Sequence, residues 1–211
     1  TDSARYALGG IRFDDWMIIG CDGRRLSTCP VAGASGEIHA IVPEKAAQLI
    51  ASVLHEEKCY VSSDINNIQV RCGKFIVNTR QLEGRYPDWR QAACKKEGKN
   101  RATLTAGSLL SAVKQAAIVA DYEYRGVLFE FSAGEIKISA KTSERGQSSV
   151  SVPAEYSGEA VTVRWDNVFV QEFLKTCDPE EIVSVYVGRP TESALIEDVA
   201  GAAYTVMPMS I

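Results

Sequence analysis

The chain has 211 residues, enough for one or two domains with proper cores. Its 45% hydrophobic and 24% charged content excludes disorder, and no apolar run approaches the length of a membrane-spanning helix. A net charge of −4 excludes a simple nucleic-acid coat with a basic surface but leaves room for a local basic patch. Six cysteines (Cys21, Cys29, Cys59, Cys72, Cys94 and Cys177) are scattered, with no CxxC and no metal-ligand spacing. They read as reduced, mostly buried thiols of a cytoplasmic protein.

Along the chain, the first clear signal is GIRFDDWMII. Ile11 and Phe13 alternate with polar neighbours, Asp14 and Asp15 make a turn, and Met17, Ile18 and Ile19 form a second run. Alternation at period two predicts half-buried strands with one wet face. The glycines of ALGGIRF lack a GxGxxG or phosphate-loop context and read as a backbone kink at the start of the strand. IHAIVPEKAAQLIASVL predicts a strand running into a helix, with Pro43 in the first turn and Ala46, Leu49, Ile50 and Val53 buried. CYVSSDINNIQVRCGKFIVNTR predicts paired strands. GRYP follows at 84–87, and the polar AACKKEGKN at 92–100 is the candidate linker.

After the linker, RATLT predicts a strand and Thr105 an N-cap, with Leu109, Leu110, Val113, Ala116 and Ala117 as the apolar face of a helix. YRGVLFEFSAGEIKISAKTSERG repeats the first strand pair: Val127, Phe129 and Phe131, a turn at Ala133 and Gly134, then Ile136 and Ile138. AVTVRWDNVFVQEFLKTC repeats strand into helix. Asp166 aligns with Pro43 as the N-cap, and Phe169, Val170, Phe173 and Leu174 are buried. IVSVYVGRPTESALIEDVAGAAYTV repeats the closing strands, and TVMP at 205–208 aligns with GRYP.

This self-similarity predicts the α+β class. Two like modules, 1–91 and 92–211, each have antiparallel sheets, with two helices on one face of a complete module. Only four residues precede Arg5, where the first copy should carry a strand and helix like those after the linker. The expectation is a chain that begins inside a module. Val206 is expected to end a core strand.

Reactive groups are sparse, and no catalytic residue, metal site or cofactor is expected. His39, in a strand pattern, and His55, near a helix end, lack a local nucleophile or metal partner and read as structural or surface residues. DPEE at 178–181 and IED at 196–198 read as solvated loop carboxylates. The polar helix faces are neutral to weakly basic: Lys45, Gln48, Ser52 and His55; Ser108, Ser111, Lys114 and Gln115; Asn167, Gln171, Glu172 and Lys175. They are either ordinary solvated faces or a sparse, sequence-blind track for phosphates, with Lys45, Lys114 and Lys175 as the residues to test.

RYAL..G, DGRRL, VP.KA, LEGRYPDWR, YRGV, YSG, IED and YTVMPM occur in order along the chain. In this the chain resembles the bacterial beta sliding clamp family, the ring-shaped processivity subunit of the replicative DNA polymerase. The resemblance implies most of a second clamp module and all of a third. It also implies a non-enzymatic clamp on duplex DNA that docks polymerase, clamp loader and repair proteins through short linear peptides.

The cleft positions it carries over, between second and third modules, are Leu8, Gly23, Arg25, Leu26, Pro87, Val206, Met207, Pro208 and Met209. Arg5 and Tyr6 join the three lysines as DNA-facing residues. Ile118, Val119 and Tyr124 match the third module's side of the ring interface of a homodimer. Without a first module the chain is not expected to close a ring.

Cys21, Arg24, Gln91, Ala92, Thr205 and Ser210 depart from the family pattern, as does Ser52 where Arg can occur. These departures bear on peptide specificity and DNA contact. The alternative reading is a truncated clamp-like regulatory module that binds partner peptides without encircling DNA.

Overall fold

The computed structural model describes residues 7–33, 35–54 and 58–210. The chain divides into two units, Thr1–Ala93 and Cys94–Ile211. Among the described residues no helix is long and apolar enough to cross a membrane.

In the first unit, β1 (Gly10–Asp14), β2 (Met17–Cys21), β3 (Arg25–Pro30) and β4 (His39–Pro43) form an antiparallel set in the order β4-β1-β2-β3. Helix α1 (Glu44–Val53) follows, then β5 (Cys59–Ser63), β6 (Asn67–Cys72) and β7 (Phe75–Arg80) as a second antiparallel sheet. A single helical turn, α2 (Trp89–Ala92), closes the unit. Ala40, Val42, Ile50, Ile68, Val70 and Val77 form one core cluster, and Ile19, Leu26, Ile41 and Tyr86 another.

In the second unit, β8 (Asn100–Thr105) leads into α3 (Ala106–Ala116) and a 3-10 turn, Ala117–Val119. Then come β9 (Gly126–Ser132), β10 (Glu135–Thr142), β11 (Gly146–Pro153), β12 (Glu155–Tyr156) and β13 (Val161–Asp166). Helix α4 (Asn167–Leu174) precedes β14 (Ile182–Val187), β15 (Ala194–Glu197) and β16 (Ala203–Val206). One sheet runs β11-β10-β9-β13 and the other β12-β8-β14-β15-β16, all pairs antiparallel. Trp165, Phe129, Phe131, Ile136, Ile138 and Leu174 fill the core between sheets and helices.

The repeat extends to sheet order. β4-β1-β2-β3 matches β13-β9-β10-β11, the strand before each helix pairs with the first of its set, and three strands follow α1 as three follow α4. Strand β8 and helix α3 have no counterpart among the described residues of the first unit.

Local chemistry explains the helix starts. Thr105 Oγ1 accepts the Ser108 N–H (3.3 Å) and an Asp166 carboxylate oxygen accepts that of Val168 (2.9 Å). Pro43 stands at the N-cap of α1, one residue before the predicted first turn, and makes no side-chain cap.

Three expectations are corrected. Leu49 is 53% exposed, because the buried stripe of α1 narrows to Ile50 with Ala46, Ala47 and Val53 partly covered. Asn167 is buried rather than solvated, with its Nδ2 donating to the Arg125 carbonyl (2.6 Å). Of the six thiols only Cys72 is fully buried; Cys29 is exposed and the others are half-buried. The glycine pair bends the backbone at Gly9, just before β1, as expected, and Gly10 adds a close approach, since a Cβ there would collide with the Val42 carbonyl of the paired strand.

Candidate functional site

In the first unit Gly23, Arg25 and Leu26 lie at the turn of the β2–β3 hairpin, and Leu8 and Pro87 on the stretches before β1 and after β7. Residues 22–25 form an Asx turn: an Asp22 carboxylate oxygen accepts the N–H groups of Arg24 (2.9 Å) and Arg25 (3.1 Å). Gly23 takes φ +87°, where a side chain would be strained. The other Asp22 oxygen accepts Arg25 Nε at 2.9 Å, so this guanidinium is already oriented by its own turn. These bonds hold the Asp22 carboxyl below its usual range despite partial burial.

Leu26 follows, 3% exposed and packed with Ile19, Ile41 and Tyr86, so its side chain belongs to the core. Pro87 and Leu8 are half-buried. The Ala7 N–H donates to the Arg85 carbonyl (3.0 Å), which ties the stretch carrying Leu8 to the one carrying Pro87. Tyr86 donates its hydroxyl to the Ile19 carbonyl (3.1 Å), and burial pushes its phenol up to about 12.

The segment around Pro87 is held from below by Asp14. This carboxylate, 3% exposed, accepts Arg12 Nη2 (3.0 Å), His39 Nδ1 (2.8 Å), Trp89 Nε1 (2.7 Å) and Arg90 Nη1 (2.7 Å). Burial alone would raise its pKa. The hydrogen bonds from Trp89, Arg12 and His39 outweigh that and hold it well below the usual carboxylate range. The sequence reading placed Asp14 in a turn; it ends β1, and the turn residues are Asp15 and Trp16. Asp14, Asp15 and His39 have metal-compatible spacing, but two guanidinium groups on Asp14 oppose a cation there.

In the second unit Val206 is fully buried at the end of β16, and the next residue, Met207, is 48% exposed. Pro208 and Met209 are half-buried. The segment is pinned rather than frayed: the Met209 N–H donates to the Arg164 carbonyl (2.8 Å), and Arg164 Nη1 donates to the Ser210 carbonyl (2.9 Å). The Met209 sulfur lies over Gly126, 3.4 Å from where a Cβ would stand. Thr205 is buried and its Oγ1 accepts the Cys94 N–H at 2.9 Å, a bond that an apolar residue could not make.

Lys45, Lys114 and Lys175 are exposed and have no ion-pair partner among the described residues. Ser108, Ser111 and Gln115 share the exposed face of α3 with Lys114. Ile118 and Tyr124 are 73% and 72% exposed, whereas Val119 packs partly against the core. Arg5, Tyr6 and His55 lie outside the described residues.

In DPEE, Asp178 and Glu180 are exposed as the sequence implied, whereas Glu181 and the two carboxylates of IED are less solvated. Glu181 and Asp198 are half-buried beside Cys177, and burial and these two carboxylates push its thiol up. Both carboxylates also serve the backbone, accepting the N–H groups of Val199 (3.2 Å) and Ala202 (2.8 Å). The residue that sequence reasoning missed is Asp14, whose partners are 75 and 76 residues away at Trp89 and Arg90.

The family model for the DNA polymerase III beta subunit, C-terminal domain, matches residues 94–210. The Beta sliding clamp of Proteus mirabilis is 30% identical over 220 residues, covering 98% of this chain and 59% of that protein. That of Escherichia coli K12 is 30% identical over 219 residues, with the same coverage. The chain thus spans 59% of the length of these relatives. The crystal structure of the DNA polymerase sliding clamp from Pseudomonas aeruginosa with ligand superposes with a TM-score of 0.89. It is 23% identical, covers all of this chain and has 60% of its own length covered, a likeness of fold.

Proposed function

The chain belongs to the DNA polymerase III beta-subunit family, and on that premise we propose that it serves as part of a sliding clamp. It acts in the cytoplasm without catalysing a reaction. It holds the replicative polymerase, the clamp loader and repair proteins on duplex DNA by docking their short linear peptides. The observation that carries this reading is the end of the second unit, where the chain passes from fully buried Val206 to half-exposed Met207. Two hydrogen bonds to Arg164 hold the adjoining backbone in place. An exposed methionine on a pinned backbone is an adaptable apolar anchor point. Leu8, Gly23, Arg25 and Pro87 are the further peptide contacts, with the core side chain of Leu26 supporting the turn that carries Gly23 and Arg25.

Met207→Ala tests this better than Leu26→Ala, because Leu26 also supports the core and its loss would weaken folding. Calorimetry with a peptide ending in a Leu-Phe anchor is expected to show a loss of about 1–3 kcal/mol for Met207→Ala, with the unfolding midpoint unchanged. Equal affinity in the variant and the parent protein would sink the assignment.

Duplex contact is proposed through Lys45, Lys114 and Lys175, with Arg5 and Tyr6, and Ile118, Val119 and Tyr124 are proposed as this chain's side of the ring interface in a homodimer of the full-length protein. Each lysine that meets a phosphate adds about 0.9 to the slope of log K against log salt. Replacing all three by Ala is therefore expected to flatten the slope for duplex binding, equally for any base sequence. An unchanged slope would assign them to solvated helix faces.

A further inference from the structure

The β5-β6-β7 sheet sets two cysteines opposite each other. In the register of β5 on β6, Cys59 is the direct partner of Cys72. Their hairpin is closed by Asp64 and Asn67, with the Asp64 N–H on the Asn67 carbonyl at 3.0 Å. Antiparallel partners alternate outward from such a closing pair between hydrogen-bonded and non-hydrogen-bonded positions. Counting back from Asp64 puts Val61 with Val70, and Cys59 with Cys72, in non-hydrogen-bonded positions. There the Cα atoms stand about 4.5 Å apart with the side chains at their closest, within the range of about 4.4–6.8 Å that a disulfide spans.

The two side chains share a face. Ile68, Val70 and Cys72 alternate inward along β6, and Cys59 and Val61 lie on the matching, half-buried side of β5. Access differs: Cys72 is 1% exposed, while Cys59 is half-buried on the outer strand of its sheet. Both are thiols in this structure.

The geometry points to a dithiol site at Cys59 and Cys72 that closes into a cross-strand disulfide when the protein meets a small disulfide or a peroxide. With a small disulfide, the Cys59 thiolate attacks one sulfur and expels the other half as a thiolate. The Cys72 thiolate then attacks the Cys59 sulfur and expels the second half. The two protein thiols lose two electrons and two protons, and the oxidant's sulfur–sulfur bond becomes two thiols. With a peroxide, Cys59 becomes a sulfenic acid as one molecule of water or alcohol leaves, and Cys72 displaces water from it. Cys59 reacts first because it is the more accessible of the two. The closed bond fixes the outer strand to β6 and suppresses its local opening.

The test is oxidation of the whole chain with glutathione disulfide, alkylation of the remaining thiols and non-reducing peptide mapping by mass spectrometry. The expected product joins the Cys59 and Cys72 peptides, about 2 Da below the sum of the reduced pair, and is reversed by dithiothreitol. In Cys59→Ser, Cys72 is expected to remain an alkylatable thiol. A stable glutathione adduct on Cys59, or both thiols alkylated after oxidation, would overturn the proposal. So would pairing of Cys72 with any other cysteine.

Discussion

Replacing Asp14 by Ala is expected to cost the first unit about 3 kcal/mol, the low end for breaking a buried ion pair. The carboxylate is 3% exposed and serves Arg12, His39, Trp89 and Arg90 at once. The cost stays at the low end because His39 and Arg90 are 56% and 61% exposed and rehydrate when released. Urea unfolding would show a lower midpoint with an unchanged slope. The depressed folded pKa sets the sign of the pH dependence. Asp14 contributes its full stability above the unfolded value of 3.8 and loses it as pH falls below that value toward the folded pKa. Asp14→Asn should therefore be less stable at neutral pH and show a flatter acid limb. A variant whose acid limb matches the parent would remove Asp14 from the account.

Trp165→Ala is expected to cost the second unit about 3–5 kcal/mol. Its ring is 1% exposed and packs against Phe129 (centroids 4.6 Å) and Phe131 (5.9 Å). Its indole Nε1 is buried without a hydrogen-bond partner among the described residues, so Trp165→Phe removes an unsatisfied donor along with some volume. That exchange is expected to cost below about 1.5 kcal/mol. Equal losses in the two variants would mean that packing is not what the ring contributes.

The fold was legible in the sequence where one local signal decided the outcome. Thr105 and Asp166 announce helix starts because capping is a contact within three residues. Ile136 and Ile138 announce an inward strand face by alternation alone. Leu49 was misread because helical spacing gives a face but not how much of it a neighbouring sheet covers. Asn167 was misread because its partner, the Arg125 carbonyl, lies 42 residues earlier.

The candidate site was less legible for the same reason. The motif containing Trp89 and Arg90 stands out in the sequence, but its anchor at Asp14 exists only after β1 and α2 have come together. The Thr205 departure makes sense once the Cys94 N–H is seen to need an acceptor. Ser210 contributes its carbonyl to Arg164, a bond that any residue there could supply.

The most direct test of the docking claim is amide hydrogen exchange on the intact chain, with and without the peptide bearing a Leu-Phe anchor. Peptide-dependent slowing is expected at Met207 and Met209 and in the stretch around Arg25 and Leu26, with α1, α3 and α4 unchanged. Slowing confined to those helices, with none at Met207, would contradict it.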